Sequence, residues 1–259
     1  MKQILFAIGV VLFASIGYAA DATQVDTNSL SKVERLRKAT GGFVMDRRDA
    51  EGQVVFLNLQ KSVDTKVLAE EAVALERDCM LFVKVANADN FAAADYAKVK
   101  KGLGAKVLIV VEEKGSPFPL LVAPEQMFAV IDVSALRGDA PDVPVLARRV
   151  KKEMVRAMAM TFGTGYAVMG GGTLAPALSL TELDELPLGV LSMETSSVIQ
   201  RLAVERFGFK LFKRTVYVNA LKEGWAPPPK GKYQQDLWDQ YHAMPTEPIT
   251  IPPEKSPIK

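Results

Sequence analysis

The sequence contains very few of the residues that bind metals or form disulfides. Its 259 residues include a single histidine, His242, and a single cysteine, Cys79. An internal disulfide needs two cysteines and is therefore excluded. We also expect no zinc site built from His and Cys, no Ser-His-Asp triad and no Cys-His dyad, because each depends on imidazole or thiol groups. Cys79 lies beside Met80, Leu81 and Phe82, which indicates a buried apolar role.

Neither sign of charge predominates. Lys and Arg number 32 and Asp and Glu number 30, so the formal net charge is +2. A charge this small creates no field over the whole protein that would attract nucleic acid, and we expect no nucleic-acid partner. The hydrophobic share of 49% and the charged share of 24% are those of a globular protein. Disorder and a polytopic membrane protein are excluded.

The N-terminal 22 residues have the pattern of a secretory signal peptide. Lys2 is followed by an apolar run from Ile4 to Ile16 and then by small residues at positions 17, 19, 20 and 22. The run is about 13 residues long, whereas a membrane span needs roughly 20. We therefore expect export to the periplasm or the extracellular space and no stable membrane anchor after cleavage. A retained anchor helix is the alternative.

The remaining chain has three parts. Residues 23–40 form a polar leader, residues 41–221 an α/β domain, and residues 222–259 a proline-rich C-terminal tail. Strand patterns at 43–45 and 54–59 flank a turn at 49–52 and predict a hairpin. Further strand patterns at 80–85, 106–111, 119–123 and 127–133 alternate with helix patterns. This order predicts a mixed, partly parallel sheet with covering helices.

The clearest helix signal lies between positions 142 and 163. Asp142 is a helix cap, Pro144 is tolerated in the first turn, and Gly163 ends the helix. The basic side chains are placed off the apolar stripe, and we expect them to form a solvated face, with an anion or partner surface as the alternative: Arg148, Arg149, Lys151, Lys152 and Arg156. Glu153 pairs with Arg156 at a spacing of three residues.

The tail combines proline with aromatic residues. Eight of the 15 prolines lie in the last 33 residues. Tyr233, Trp238 and Tyr241 recur at helical spacing within it, and Trp225 precedes them. We expect these four aromatic side chains either to dock the tail or to offer anchors to a partner.

One motif points to a known family. From Val155 to Tyr166 the chain reads V-R-A-M-A-M-T-F-G-T-G-Y, with Lys152-Glu153 before it and Met169 after it. This order resembles the archaemetzincin branch of the metzincin zinc peptidases, whose helix carries H-E-x-x-H-x-x-G-x-x-H before a methionine turn. The resemblance implies a metzincin-like fold, places Gly163 on the family glycine and makes Met169 a counterpart of the turn methionine.

The residues that carry the family chemistry are replaced. The three histidine positions hold Arg156, Met160 and Tyr166, and Ala157 stands at the position of the general base. Zinc requires neutral imidazoles or thiolates, and a permanently cationic guanidinium repels it. We therefore expect a degenerate site with no metal and no other cofactor. Metzincin-like clefts bind a peptide strand against a sheet edge, for which we expect Pro119–Ala123.

These patterns support three hypotheses of function. The first is an exported, non-catalytic metzincin-like protein that binds a peptide or protein or acts as a structural module of the envelope. The second is a metal-independent hydrolase that uses carboxylates. Glu182, Asp184 and Glu185 are acidic candidates, and for them we favour the alternative of a solvated helix start. The third is a purely structural envelope protein whose tail carries the interaction. The missing zinc ligands and general base favour a protein without enzymatic activity.

Overall fold

The computed structural model describes residues 31–90, 95–138, 142–165, 172–188 and 191–243. The predicted signal peptide and the start of the polar leader lie outside these ranges. The chain divides into two compact units, one formed by Phe43–Thr215 and the other by the residues on either side of it. None of the helices in the described ranges has the length and hydropathy of a membrane span.

In chain order the elements are α1 (Lys32–Thr40), β1 (Phe43–Asp46), β2 (Gln53–Leu59), α2 (Thr65–Cys79), β3 (Phe82–Ala88), α3 (Tyr96–Gly102), β4 (Val107–Glu112), β5 (Leu120–Ala123), β6 (Phe128–Asp132), α4 (Val133–Arg137), α5 (Val143–Phe162), α6 (Leu180–Glu185), α7 (Met193–Glu205), β7 (Lys213–Val216), α8 (Tyr217–Lys222) and α9 (Lys232–Ala243).

A five-stranded sheet forms the centre of the larger unit, in the order β3-β2-β4-β6-β5. β2 runs parallel to β3 and β4, and β4 runs parallel to β6. β5 is antiparallel to β6. The predicted α/β class with a mixed, partly parallel sheet is confirmed.

Apolar side chains cover both faces of this sheet. One face packs against α2, α5 and α7 in a cluster that includes Phe56, Ile109 and Met154. The opposite face buries Leu57 and Leu108. Cys79 belongs to the first cluster and is fully buried, as predicted. Strands buried on both faces read as continuous apolar runs, which is why β2 and β4 stand out in the sequence.

The predicted hairpin of the first two strands is wrong. β1 pairs with β7 in a separate two-stranded sheet, whereas β2 lies between β3 and β4. Six of the seven residues of β2 are buried. A strand of this kind needs a neighbour on each edge and not a single hairpin partner.

Helix α5 has the predicted bounds, and its ends explain why. The Asp142 carboxylate accepts a hydrogen bond from the Val145 N–H at 2.8 Å. Gly163 follows the last turn with φ +91°, a left-handed conformation that favours glycine. Its N–H donates to the carbonyl of Met160 at 2.9 Å. Both signals are local in sequence, so the helix could be delimited without tertiary information.

The smaller unit consists of α1, α8 and α9. Tyr217 is fully buried there, and its hydroxyl donates to the Pro227 carbonyl at 3.1 Å. Gln234 on α9 donates to the Gly41 carbonyl at 2.9 Å. The predicted helical spacing in the tail is confirmed by α9, which packs on α1 and α8.

Candidate binding cleft

A cavity of about 440 Å³ lies in the larger unit between the β5 edge and helices α5 and α6. Apolar groups form most of its wall, and two of them, Phe118 and Leu178, are 61% and 92% exposed. Glu153 and Arg156 on α5 are the ionisable groups among its described lining residues. The remaining lining residues are Pro117, Pro119, Leu120, Ala135, Ala177, Ser179, Leu180 and Leu183. Most of the described lining residues are therefore apolar, and a charged pair lies among them.

Strand β5 forms one side of this cleft and is the last strand of the sheet in the described chain. The Pro119 carbonyl accepts a hydrogen bond from the Asp132 N–H at 2.9 Å. Because hydrogen-bonded and non-hydrogen-bonded pairs alternate in an antiparallel ladder, the backbone groups of Leu120 and Val122 point away from β6. The prediction that Pro119–Ala123 forms a sheet edge is confirmed.

Asp132 holds the loop that leads into this edge. Its carboxylate is 1% exposed and accepts hydrogen bonds from the N–H groups of Lys114 at 3.2 Å and Ser116 at 2.6 Å. Burial alone would raise the pKa of Asp132, but these bonds and those from Ser134 outweigh it and lower the pKa. The loop with Pro117 and Phe118 is thereby fixed against the sheet. Sequence reasoning missed this role, although an Asp between a strand and a helix is a signal for a capping carboxylate.

Two basic residues of α5 attach α6 to it. The Arg149 guanidinium donates to both carboxylate oxygens of Asp184, at 2.8 and 2.6 Å. Lys152 donates to the carbonyls of Leu183 at 2.7 Å and Asp184 at 2.8 Å, near the C-terminal end of α6. Cations are favourable at that end of a helix. The hydrogen bond from Arg149 lowers the pKa of Asp184.

Glu153 and Arg156 form a buried ion pair one turn further along. They are 1% and 4% exposed, and Arg156 Nε lies 3.2 Å from Glu153 Oε1. Arg156 also donates to the Ala175 carbonyl at 2.9 Å. Burial raises the pKa of Glu153 to about 7, while the charge of Arg156 acts in the opposite direction.

These contacts overturn the expected solvated face. Arg149, Lys152 and Arg156 are at most 9% exposed, and Arg148 is exposed as expected. The reason is that the segment from 173 to 187 lies over this side of α5 and supplies carbonyl and carboxylate acceptors. A buried cation is tolerated when such acceptors surround it.

The predicted site residues are not all brought together. Arg156 lines the cleft, whereas Ala157 is fully buried in the core. Met160 is half-buried and is not among the residues that line the cleft, and Gly163 ends α5. Tyr166 and Met169 lie outside the described residues.

The aromatic residues of the tail lie in the smaller unit. Trp225, Tyr233 and Trp238 are partly buried, and Tyr241 is 37% exposed. The Trp225 indole donates to Glu223 at 2.7 Å. Their role in binding a partner stays a prediction.

The residues that align with the zinc ligands of the metzincin motif do not fit a zinc ion. Arg156 is a buried cation already bound by a carboxylate and a carbonyl, and the Met160 thioether is a soft ligand. Within the described ranges, no group of three or more His, Cys, Asp and Glu side chains is placed to hold a metal.

The acidic candidates on α6 are not available as a catalytic pair, because two of them accept hydrogen bonds and none of them lines the cavity. Asp184 is bound by Arg149, and Glu182 accepts a hydrogen bond from the Leu178 N–H at 2.8 Å. Glu185 is exposed, and none of the three lines the cleft. Glu153 is thus the one carboxylate among the described lining residues, and paired-carboxylate chemistry would need a second.

Solved zinc peptidases are among the structures to which this chain is similar. The archaemetzincin of Methanopyrus kandleri has a TM-score of 0.47 at 17% identity, over 60% of this chain and 97% of that one. A zinc-dependent peptidase of Methanocorpusculum labreanum has a TM-score of 0.42 at 15% identity, over 57% and 100%. The archaemetzincin of Archaeoglobus fulgidus complexed with malonate has a TM-score of 0.41 at 18% identity. The match covers 56% of this chain and 99% of that one. No family profile and no curated protein sequence matches the chain.

Proposed function

We propose that this chain is an exported, non-catalytic protein with a metzincin-like domain that binds an extended peptide segment in the cleft. One observation carries the proposal: the cavity is lined in part by Leu120 of β5, which is the last strand of the sheet in the described chain. An extended peptide gains affinity from backbone hydrogen bonds to a sheet edge and specificity from pockets for its side chains. The cleft offers both elements side by side.

The exposed apolar wall supports a ligand of this kind. Phe118 and Leu178 belong to different segments that line the cavity, and both are largely exposed. Burying such side chains under a ligand is favourable, at about 25 cal/mol for each Å² removed from water. Both can contribute to binding without being needed for the core.

The absence of catalysis is proposed from the state of the two charged groups. Peptide hydrolysis needs an activated nucleophile or a base within reach of the scissile bond. Glu153 and Arg156 are tied to each other, and Arg156 is also bound to Ala175. In this role the cleft binds a peptide and leaves it intact.

Peptide display on the mature protein followed by an N-methyl scan tests the proposal. An extended peptide that binds should lose binding when alternate backbone nitrogens are methylated and keep it when the nitrogens between them are methylated, because only every second residue pairs with the edge. Leu178→Ser should weaken binding about tenfold, whereas the matched exposed change Val143→Ser should not. Equal tolerance of all N-methyl groups would contradict edge pairing, and no peptide binding at all would favour the structural role.

Export is proposed separately, on the pattern of residues 1–22. We propose that they direct secretion and are then removed. Fusing them to a phosphatase that is active only outside the cytoplasm should give activity, and Leu12→Arg in the apolar run should abolish it. Activity that survives this change would count against the signal peptide.

A metal-independent hydrolase is the second candidate, and the pKa of Glu153 favours it. A carboxyl that titrates near pH 7 is suited to general acid–base catalysis. Incubation with quenched fluorescent casein in the presence of a chelator tests this activity. Turnover that is lost in Glu153→Gln and kept in Glu185→Gln would replace the binding role with a catalytic one.

A further inference from the structure

Glu153, which lines the cleft, has one buried carboxylate oxygen that no hydrogen bond satisfies within the described residues. The residue lines the cavity and is 1% exposed. Its Oε1 pairs with Arg156, whereas Oε2 has no hydrogen-bond partner in the described structure. Buried polar atoms in native proteins nearly always form a hydrogen bond, and a buried polar atom without one destabilises the fold. A group that donates to this oxygen would therefore be stabilised in the cleft.

The charge around Glu153 favours an uncharged donor. Arg156 already supplies one positive charge at 3.2 Å, so the ionised pair is neutral. A ligand cation would be attracted by the carboxylate and repelled by the guanidinium beside it, which leaves little net gain. Several other charged groups on the elements packed around the pair are engaged elsewhere, namely Arg149 with Asp184, Lys151 with Glu70, Lys152 with the α6 carbonyls, Asp132 with the 114–116 loop and Arg137 with Glu113. Arg148 and Glu185 are exposed to solvent.

We propose that the cavity is a subsite for an uncharged peptide side chain that ends in an N–H or O–H donor, such as Gln or Asn, and that this donor binds Glu153. The inference rests on the peptide-binding function proposed above. A volume of about 440 Å³ is more than enough for one side chain of this size, and the apolar part of the wall can pack against its methylene groups. The subsite should therefore select a ligand side chain by the polar group at its end and not by its length.

Four blocked pentapeptides of matched length test the subsite. The series Ac-Ala-Val-Xaa-Val-Ala-amide carries Gln, Met, Lys or Glu at the central position, and binding to the full chain is measured by calorimetry. The Gln peptide should bind about tenfold more tightly than the Met peptide, because a hydrogen bond to a charged group is worth roughly this factor. It should also bind more tightly than the Lys and Glu peptides.

The pH dependence and one pair of variants identify Glu153 as the acceptor. Burial raises the pKa of Glu153 to about 7, so lowering the pH from about 8 to about 6 protonates the acceptor and should weaken Gln binding severalfold. Glu153→Gln should remove this pH dependence and reduce the preference over Met. Glu185→Gln changes an exposed carboxylate on the adjacent helix and should alter neither.

The outcomes separate the two proposals. Equal binding of all four peptides, or a preference for Lys or Glu, overturns the subsite and leaves peptide binding in place. Binding of none of them, together with failure of the display selection, overturns both. A Gln preference that persists unchanged at low pH and in Glu153→Gln overturns the role of this residue, provided that circular dichroism shows the variant to be folded.

Discussion

Replacing Arg156 with Met tests the buried ion pair directly. The change removes a guanidinium that is 4% exposed and lies 3.2 Å from the Glu153 carboxylate, and it leaves that carboxylate buried without a counter-charge. Breaking such a pair by removing one partner costs about 3–5 kcal/mol. The free energy of unfolding should fall by about this amount at pH 8, where Glu153 is ionised.

The stability cost of Arg156→Met should depend on pH, and the direction of this dependence follows from the pKa of Glu153. Burial raises this pKa from 4.5 to about 7, so the carboxylate destabilises the folded state once the pH exceeds the unfolded value. At about 1.4 kcal/mol per pKa unit, wild-type stability loses about 3 kcal/mol between pH 4.5 and pH 7 from this group. In Arg156→Met the pKa rises further. At pH 5 the carboxyl is neutral, and the loss should shrink to about 1–3 kcal/mol for the bond to Ala175.

Urea denaturation of the wild type, Arg156→Met, Glu153→Gln and the double variant at both pH values measures the effect. The double-mutant cycle should give a coupling free energy of about 2 kcal/mol at pH 8 and less at pH 5. A coupling near zero at pH 8, or a cost of Arg156→Met that is identical at the two pH values, would refute the ion pair as the source of the loss.

Three further predictions concern other parts of the chain. Glu71 is 6% exposed with an unpaired Oε1, and burial raises its pKa to about 7. Glu71→Gln should therefore raise the unfolding free energy by up to about 3 kcal/mol at pH 8 and change it little at pH 4.5. The exposed control Glu70→Gln should not show this gain at pH 8. A pH-independent effect of Glu71→Gln in urea titrations would contradict the prediction. Gly41 and Gly42 both have a left-handed backbone, with φ +69° and +76°. A Cβ added at Gly41 would lie 2.7 Å from Tyr217 Cβ, whereas a Cβ added at Gly42 would meet no atom within 4 Å. Gly41→Ala should cost more than about 2 kcal/mol and Gly42→Ala about 1 kcal/mol in thermal unfolding, and equal costs would show that the steric contact is absent. Equimolar Zn²⁺ should leave the Tm unchanged because the residues that align with the zinc ligands of the metzincin motif do not fit the ion, and a clear rise in Tm would reveal a metal site.

Elements delimited by local signals could be predicted from the sequence. The bounds of α5 follow from a capping Asp and a terminal Gly, and the α/β class follows from alternating strand and helix patterns. The pairing of β1 could not be predicted in this way. The turn at 49–52 suggested a hairpin, but the partner of Phe43–Asp46 is Lys213–Val216, far along the chain. Strand pairing at this separation depends on tertiary packing and leaves no local pattern.

The site was predicted only in part for a similar reason. The i, i+3 spacing paired Arg156 with Glu153, and the structure contains this pair. Arg156 also lines the cavity, and its match to a zinc position of the metzincin motif stays a prediction. The burial of Arg149, Lys152 and Arg156 was missed because their main acceptors include backbone carbonyls. A carbonyl is present at every residue, so the sequence contains no sign of which ones will face a cation.

The bond from Arg156 to Ala175 has a consequence for protein engineering. Introducing the first histidine of the metzincin motif at position 156 would shorten the side chain and give up the attachment of the segment after α5. It would also leave Glu153 beside a weaker base. Metal affinity could then be gained only together with a new means of holding that segment, so grafting the ligands one at a time should lower stability before it yields any binding.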